Sequence, residues 1–268
     1  MKERAIGVYD SGLGGLGVVR EVLKEMPGEN ICYFADFKNL PYGPRPLKQV
    51  AGFARRVVEF LISRNVKAVL VACNTASAAM AISTRAREWQ VPVIGMIVPA
   101  INATLKFGRF RKVGVVGTIG TIESGEYIKV FQRMLPSAKV IGRACPELLR
   151  LAEQGEIFDR NRIRALAKEV LGPLEREGIE ALVLGCTDFT CIVDELRAVI
   201  SPQIVLIDPA TEVAKTVSNV LQEKGWRHTE GGHISFFASG EGPKGIEDFA
   251  KKVFDIYLRE ISLVNGIT

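Results

Sequence analysis

The chain has 268 residues, 47% of them apolar and 24% charged, with 35 Lys plus Arg against 30 Asp plus Glu and a net charge of +5. That length suits one large domain or two small ones with a sizeable core, and the apolar content excludes a disordered chain. Basic residues are interspersed with acids along the chain, which describes a solvated surface and argues against a nucleic-acid partner.

Short apolar runs alternate with longer amphipathic stretches. In chain order the pattern predicts a strand over Ala5–Tyr9, a helix over Gly15–Glu25, a strand over Ile31–Ala35 and a helix over Pro46–Ser63. A strand over Ala68–Ala72 and a helix over Ala76–Glu88 follow, then strands over Val93–Gly95 and Lys112–Gly117 and a helix over Ser124–Met134. The remainder reads as a strand over Lys139–Gly142, a helix over Arg160–Glu177, strands over Ala181–Gly185 and Ile204–Ile207, a helix over Thr211–Glu223, a strand over His233–Phe237 and a helix over Ile246–Leu258. Alternation of this kind implies an α/β fold with mainly parallel sheets flanked by helices. Strands such as Ala181–Gly185 are apolar throughout, as strands covered on both faces should be.

An internal echo divides the chain. Ala68-Val-Leu-Val-Ala-Cys73-Asn-Thr75 resembles Ala181-Leu-Val-Leu-Gly-Cys186-Thr187, the cysteines being 113 positions apart. Ile6-Gly-Val-Tyr resembles Val113-Gly-Val-Val at an offset of 107, and Val98-Pro-Ala resembles Asp208-Pro-Ala at 110. Nearly constant offsets predict two pseudo-symmetric lobes. With crossovers at the Pro-Ala segments, residues 1–97 and 209–268 form the first lobe and 98–208 the second, with the site in the cleft between them.

No membrane span is expected. The longest uncharged stretches, Ala68–Thr84 and Trp89–Leu105, are broken by polar residues or by Pro92 and Pro99, and a spanning helix needs about 20 mostly apolar residues. The start MKERAIGVYD is interrupted by Glu3 and Asp10, unlike a signal peptide, so the expected compartment is the cytoplasm. The five cysteines (Cys32, Cys73, Cys145, Cys186, Cys191) should then be mostly free thiols. With no C-x-x-C pair and only His228 and His233, no metal site is expected.

Two features carry chemistry. Asp10-Ser11-Gly12-Leu13-Gly14-Gly15-Leu16-Gly17 contains G-x-G-x-x-G after a strand, and Asp36 stands 19 residues beyond Gly17. That is the spacing of a dinucleotide fingerprint. Asp10, however, would repel a diphosphate, and Asp10 with Ser11 reads better as a grip on an ammonium group. Cys73-Asn74-Thr75 lies at the carboxyl end of a buried strand, before a helix whose free N–H groups suit a carboxylate and should lower the thiol pKa. A single cysteine there would read as a small buried hydrophobe. A second, Cys186-Thr187 in the equivalent place of the other lobe, changes the reading. Two thiols on opposite sides of one carbon can remove a proton from one face and return one to the other, with no cofactor required. Cys32, Cys145 and Cys191 (the last early in a helix) read as packing residues.

These residues, with Tyr33-Phe-Ala-Asp36, Leu40-Pro-Tyr-Gly43, Ala72-Cys-Asn-Thr-Ala-Ser77, Pro92-Val-Ile-Gly95, Val116-Gly-Thr118, Thr121 and Leu184-Gly-Cys-Thr187, resemble the cofactor-independent glutamate racemases of the aspartate/glutamate racemase superfamily over nearly the whole chain. The resemblance implies two α/β lobes with the site between them, Cys73 and Cys186 as the acid/base pair, and Asn74, Thr75 and Thr187 on the α-carboxylate. It implies Asp10 and Ser11 near the amino group, and Pro41, Tyr42, Gly43, Thr118 and Thr121 around the side-chain carboxylate. Asp36 and Glu153 match supporting acidic positions. The substrate implied is glutamate, with D-glutamate supplied for peptidoglycan; a homodimer is compatible with the sequence. The family's Cys-Thr-His reads Cys186-Thr187-Asp188 here, which places a carboxylate where a cation is usual and should raise the Cys186 thiol pKa. An aspartate or other amino-acid racemase of the superfamily, a non-catalytic amino-acid-binding homologue and a nicotinamide enzyme stand as alternatives.

Overall fold

The apolar runs form strands because each is covered on both faces: every residue of Ile6–Asp10, Ile31–Ala35, Ala68–Val71 and Ala181–Gly185 is buried. The computed structural model describes residues 1–83, 89–153 and 156–267, without the side chains of residues 152, 153 and 156. Its first part runs β1 (Ile6–Asp10), α1 (Gly15–Glu25), β2 (Ile31–Ala35), α2 (Leu47–Ser63), β3 (Ala68–Val71), α3 (Asn74–Ile82), β4 (Val93–Gly95) and α4 (Ile97–Phe107). The middle runs β5 (Lys112–Gly117), α5 (Ile119–Glu123), α6 (Glu126–Met134), β6 (Lys139–Ala144), α7 (Pro146–Glu153), α8 (Arg160–Arg176), β7 (Ala181–Gly185), α9 (Val193–Val199) and β8 (Val205–Ile207). The chain closes with α10 (Ala210–Glu223), β9 (Ile234–Ala238), α11 (Ile246–Phe254) and β10 (Ile261–Leu263).

Two wholly parallel sheets result. One has the order β10-β9-β2-β1-β3-β4, the other β6-β5-β7-β8. The second repeats the order β2-β1-β3-β4 of the first, so the sequence echo is an echo of topology. In each sheet the strand order reverses between the first and third strands of the unit, β1 and β3 or β5 and β7. In open parallel sheets ligands bind in the crevice beyond the carboxyl ends of such a pair. The loops at those four ends begin at Asp10, Cys73, Thr118 and Cys186.

Helices cover both faces of each sheet. On the first sheet, Leu16, Val19 and Val22 of α1 pack with Val213, Val217 and Leu221 of α10, while Phe53, Val57 and Leu61 of α2 fill the opposite face. On the second, Ile163, Ala167 and Leu171 of α8 cover one face, and Ile97, Ile101 and Phe131 of α4 and α6 cover the other. The two connecting helices are thus exchanged: α4 follows a strand of the first sheet but packs on the second, and α10 does the reverse. Phe249 and Val253 of α11 touch the cores of both sheets.

Several elements differ from the sequence expectation. Helix α4 forms from the Pro-interrupted run because Pro99 stands in its first turn, where backbone N–H groups have no intrahelical partner. The helix expected over 124–134 begins at Glu126, because Gly125, with a φ of +68°, lies in the left-handed region, and the short helix α5, which the sequence pattern did not mark, precedes it. The helix expected to reach Leu258 stops at Phe254 because Asp255 is left-handed, and β10 follows it. Residues 84–88 of the helix expected over 76–88 lie outside the described residues.

One buried ion pair ties three connections of the first lobe together. The Lys67 ammonium meets the Glu29 carboxylate, with both side chains fully buried. It also donates to the Lys2 carbonyl at 2.7 Å and the Trp226 carbonyl at 3.0 Å, while Glu29 accepts from the His228 N–H at 2.8 Å. Removing one partner strands the other's charge, so Lys67→Met should cost about 3–5 kcal/mol in urea unfolding. Adding Glu29→Gln, which keeps the acceptor for His228, should restore most of that loss. Equal stability of the single and double variants would contradict a charged pair.

Candidate active site

The carboxyl ends of β1, β3, β5 and β7 bring four loops together. Asp10 ends β1, and one of its oxygens accepts from the Gly12 N–H at 2.8 Å. The other accepts from the Thr187 hydroxyl at 3.0 Å, a bond from the first sheet to the second. The Ser11 hydroxyl lies 3.6 Å from the Cys73 sulfur. Cys73 is the N-cap of α3 and Cys186 begins the segment after β7, a 3₁₀ helix over Thr187–Ile192. The Cys186 thiol donates to Asp188 at 3.5 Å.

The glycine loop is explained by these neighbours. A Cβ on Gly14 would stand 2.6 Å from Asp188 Oδ1 and 2.7 Å from Thr187 Oγ1, and one on Gly15 would stand 2.7 Å from Asp10 Cβ. The glycines let the loop lie against the Cys186 segment. That close approach, with Asp10 buried beneath, takes the place a dinucleotide's pyrophosphate would need.

A threonine cluster closes the site from the second lobe. Thr75 Oγ1 lies 2.9 Å from Thr118 Oγ1 and 3.2 Å from Thr121 Oγ1, and the Thr118 hydroxyl donates to Thr121 Oγ1 at 2.9 Å. Thr118 also caps α5 by accepting from the Thr121 N–H. The Gly43 carbonyl accepts from the Gly120 N–H at 2.8 Å, and a Cβ on Gly43 would lie 2.9 Å from Thr118 Cβ. The loop after Leu40 therefore seats on this cap, with Pro41 exposed on its outer side.

Asp36 and Tyr42 sit deeper. Asp36 is fully buried and accepts from the Tyr42 hydroxyl, the Ser239 hydroxyl and the Asn39 amide, and Tyr9 donates to Tyr42 at 2.5 Å. The carboxylate of Asp36 thus holds the Tyr42 loop from behind. The side chain of Glu153 lies outside the described residues. Ser239, just past a distant strand, carried no sequence signal, and Tyr33, quoted within a motif but given no role, donates from its hydroxyl to the Gly12 carbonyl at 2.8 Å. Tyr127 was also missed: its hydroxyl donates to Asn74 Oδ1 at 2.7 Å.

Burial dominates the electrostatics. It pushes the Asp10 carboxyl up to about 6 against the opposing hydrogen bonds from Gly12, Thr187 and Ser11. It pushes the Cys73 thiol up to about 12, with the Asp10 charge adding to the rise and the N–H groups of Ala76 and Ser11 opposing it. The expected lowering by the helix terminus is present but outweighed, a correction to the sequence reading. Cys186 is also raised, by burial first and then by Asp188, as the carboxylate at that position predicted. Cys32 and Cys145 are buried in apolar clusters and likewise raised. Cys191 lies in the 3₁₀ helix and packs against both cores.

A cavity of about 410 Å³ is lined by Ser11, Gly12, Leu40, Asp188, Lys244 and Phe249 among others; neither thiol lines it, but Ser11 contacts the Cys73 sulfur and Asp188 the Cys186 sulfur. A second of equal volume between α2 and α3 is away from both thiols. Among the described residues no group of three or more His, Cys, Asp or Glu side chains could hold a metal ion, and no helix is long and apolar enough to cross a membrane.

The fold and these loops define a class: a two-lobed α/β protein with paired cysteines at equivalent strand ends. The Asp/Glu/hydantoin racemase family profile matches residues 17–217, and the chain belongs to that family. Glutamate racemase from Carnobacterium sp. is 38% identical over 221 residues, 82% of each chain. Among solved structures, glutamate racemase isoform RacE1 from Bacillus anthracis superposes with a TM-score of 0.89 at 35% identity, covering 98% of this chain and 97% of its own. Glutamate racemase from Francisella tularensis, in complex with D-glutamate, superposes with a TM-score of 0.90 at 28% identity, covering 100% and 99%.

The Asp10 shift sets a pH dependence. Its folded pKa is raised from 3.8 to about 6, so the fold favours the neutral acid. That preference stabilises the fold fully below about pH 4 and is lost as pH rises through 6. Asp10→Asn removes the cost of a buried charge, and its amide can bond Gly12 and Thr187 with the latter's hydroxyl reversed. The variant should exceed wild type by about 3 kcal/mol at pH 8, with the gain shrinking to near zero at pH 4. Urea unfolding at both pH values measures it, and a gain independent of pH would contradict the assignment.

Proposed function

We propose that this protein is a cofactor-independent glutamate racemase in which Cys73 and Cys186 exchange the α-proton from opposite faces. The observation that carries this reading is the equivalence of the two thiols: each follows the third strand of its four-strand unit and caps the next helix, beside the reversal point of its sheet. The family membership and the racemase relatives support it. The lobes we assign are residues 1–97 with 209–268 and residues 98–208.

The site's charges explain how a substrate would be held and activated. Both thiols rest protonated, because burial and the Asp10 and Asp188 carboxylates disfavour a third negative charge. The ammonium group of an amino acid supplies the missing positive charge. Placed beside Asp10 and Ser11 it lowers the cost of one thiolate, so substrate binding and activation of the base are coupled. A thiolate with a high pKa is rare but strongly basic, which suits a weakly acidic C–H bond. The carbanion's charge spreads onto the α-carboxylate, where Asn74, Thr75, Thr187 and the first N–H groups of α3 act as donors. The opposite thiol then delivers its proton to the other face.

The threonine cluster supports glutamate over aspartate. Thr118 and Thr121, with the Tyr42-Gly43 loop seated on them, lie beyond Thr75 and offer donors to a carboxylate one methylene further out. We assign Asp36, through Tyr42, and Glu153 supporting parts. D-glutamate made in the cytoplasm would serve peptidoglycan synthesis.

Solvent deuterium wash-in at Cα tests the reading with L- and D-glutamate and both aspartates, using dialysed enzyme under reducing conditions. Wash-in and inversion should be faster with glutamate. Cys73→Ala and Cys186→Ala should each lose racemisation by roughly 10²–10⁴-fold while remaining folded. A larger kcat/KM for aspartate would move the chain to the aspartate branch. Retention of more than about a tenth of activity in both variants would remove the two-thiol mechanism.

Asp188 should bias the pair. Its carboxylate accepts a hydrogen bond from the Cys186 thiol and keeps that thiol protonated, so the two directions should differ in kcat while kcat/KM stays equal, the equilibrium constant being one. In Asp188→Asn the Cys186 pKa falls, and the pH profile of kcat in the direction using Cys186 as base should move to lower pH. Superimposable profiles for wild type and variant would show that Asp188 does not act on Cys186.

A further inference from the structure

Tyr127 belongs to none of the motifs at the strand ends, yet it touches both thiol-bearing loops. It stands in the first turn of α6, on the second lobe, and is 3% exposed. Its hydroxyl crosses to the first lobe and donates to Asn74 Oδ1, next in sequence to Cys73. Its ring lies beside the residue before Cys186: a Cβ on Gly185 would be 3.5 Å from Tyr127 Cε2. The neighbouring turn of the same segment carries Thr118 and Thr121 against Thr75. Consecutive residues of the Cys73 loop are therefore gripped by consecutive turns of the second lobe. The break at Gly125 permits this, with the Ser124 hydroxyl donating to the Thr121 carbonyl on one side and accepting from the Glu126 N–H on the other.

The Asn74 carboxamide is asymmetric in its partners. Oδ1 is bonded to Tyr127, while Nδ2 is buried and bonds nothing in the protein. A carboxamide flips at little cost unless one end is claimed, and a donor claims only the oxygen. Burial holds the Tyr127 hydroxyl protonated far above its ordinary range, so it remains a donor at every working pH. A buried, unspent N–H₂ donor beside a thiol is what an incoming carboxylate would satisfy.

We propose that Tyr127 is a positioning residue: by donating to Asn74 Oδ1 it fixes the carboxamide with Nδ2 presented to the substrate's α-carboxylate, and so sets the Cys73 loop against the Cys186 loop. The carboxylate part rests on the racemase reading above. The orientation part concerns the free protein and stands or falls separately.

The test uses Tyr127→Phe, Asn74→Ala and the double variant. In the free protein, ¹⁵N–¹H spectra should give one sharp pair of Asn74 side-chain amide signals, assigned by their loss in Asn74→Ala. Those signals should broaden or double in Tyr127→Phe. An unchanged pair would overturn the orientation role whatever the substrate. For glutamate racemisation, Tyr127→Phe should lower kcat/KM by about tenfold, the scale of one buried hydrogen bond. Added to Asn74→Ala it should change nothing further, since no carboxamide remains to be oriented. Multiplying effects would overturn the coupling through Asn74. Altered amide signals in a protein that does not racemise glutamate would uphold the positioning role and overturn the proposed substrate instead.

Discussion

The approach of Gly14 to Thr187 and Asp188 is the contact on which the arrangement of the site depends. With less than 3 Å between those atoms and any Cβ at Gly14, the loop after β1 and the loop after β7 share one wall. The Thr187–Asp10 hydrogen bond locks the same pair of loops from beneath. Gly43 against Thr118 makes the equivalent contact on the other side of the cleft, between the loop after β2 and the cap of α5. Two backbone-to-side-chain contacts of this closeness hold the ends of two separate sheets in register, and both depend on residues without a Cβ. The glycine-rich start thus serves apposition of lobes, where the same pattern in a dinucleotide-binding unit serves phosphate.

Apposition of the lobes creates the electrostatic problem that the chemistry uses. Asp10 and the two thiols are buried together beside Asp188, and burial disfavours the charged form of Asp10, Cys73 and Cys186. Such a site is least comfortable when empty and charged. On the proposed function, a zwitterion with two carboxylates would bring one cation for the acids and thiols and set its carboxylates on hydroxyls, amides and a helix terminus. Charge complementarity then operates within a single ligand, and the resting protonation of both thiols follows from the fold.

The exchanged helices explain how two lobes with separate cores behave as one frame. Because α4 packs on the second sheet and α10 on the first, each connection between the sheets is itself a core helix of the lobe it enters. Phe249 and Val253 of α11 add a third link, as they touch both cores. The cleft is consequently set by covalent crossovers and apolar packing, with the polar contacts at the strand ends fixing its detail.

The strand runs, the parallel α/β class, the repeat and the two thiol motifs were legible in the sequence, because apolar periodicity and local spacing are properties of contiguous residues. Cys73 and Cys186 stand out by the likeness of Ala68–Thr75 to Ala181–Thr187, and Asp188 by its position beside the second thiol. Tertiary structure decided the rest. Helix α4 depended on where Pro99 fell within a turn, and the break at Gly125 on a left-handed φ. The joining of Tyr127 to Asn74, and of Ser239 to Asp36, spans 53 and 203 positions, with no local pattern to mark either pair. The sign of the Cys73 shift also belongs to the folded state. A helix terminus can be read from sequence, but the burial and the Asp10 charge that outweigh it exist only once β1 and β3 lie side by side in the folded sheet.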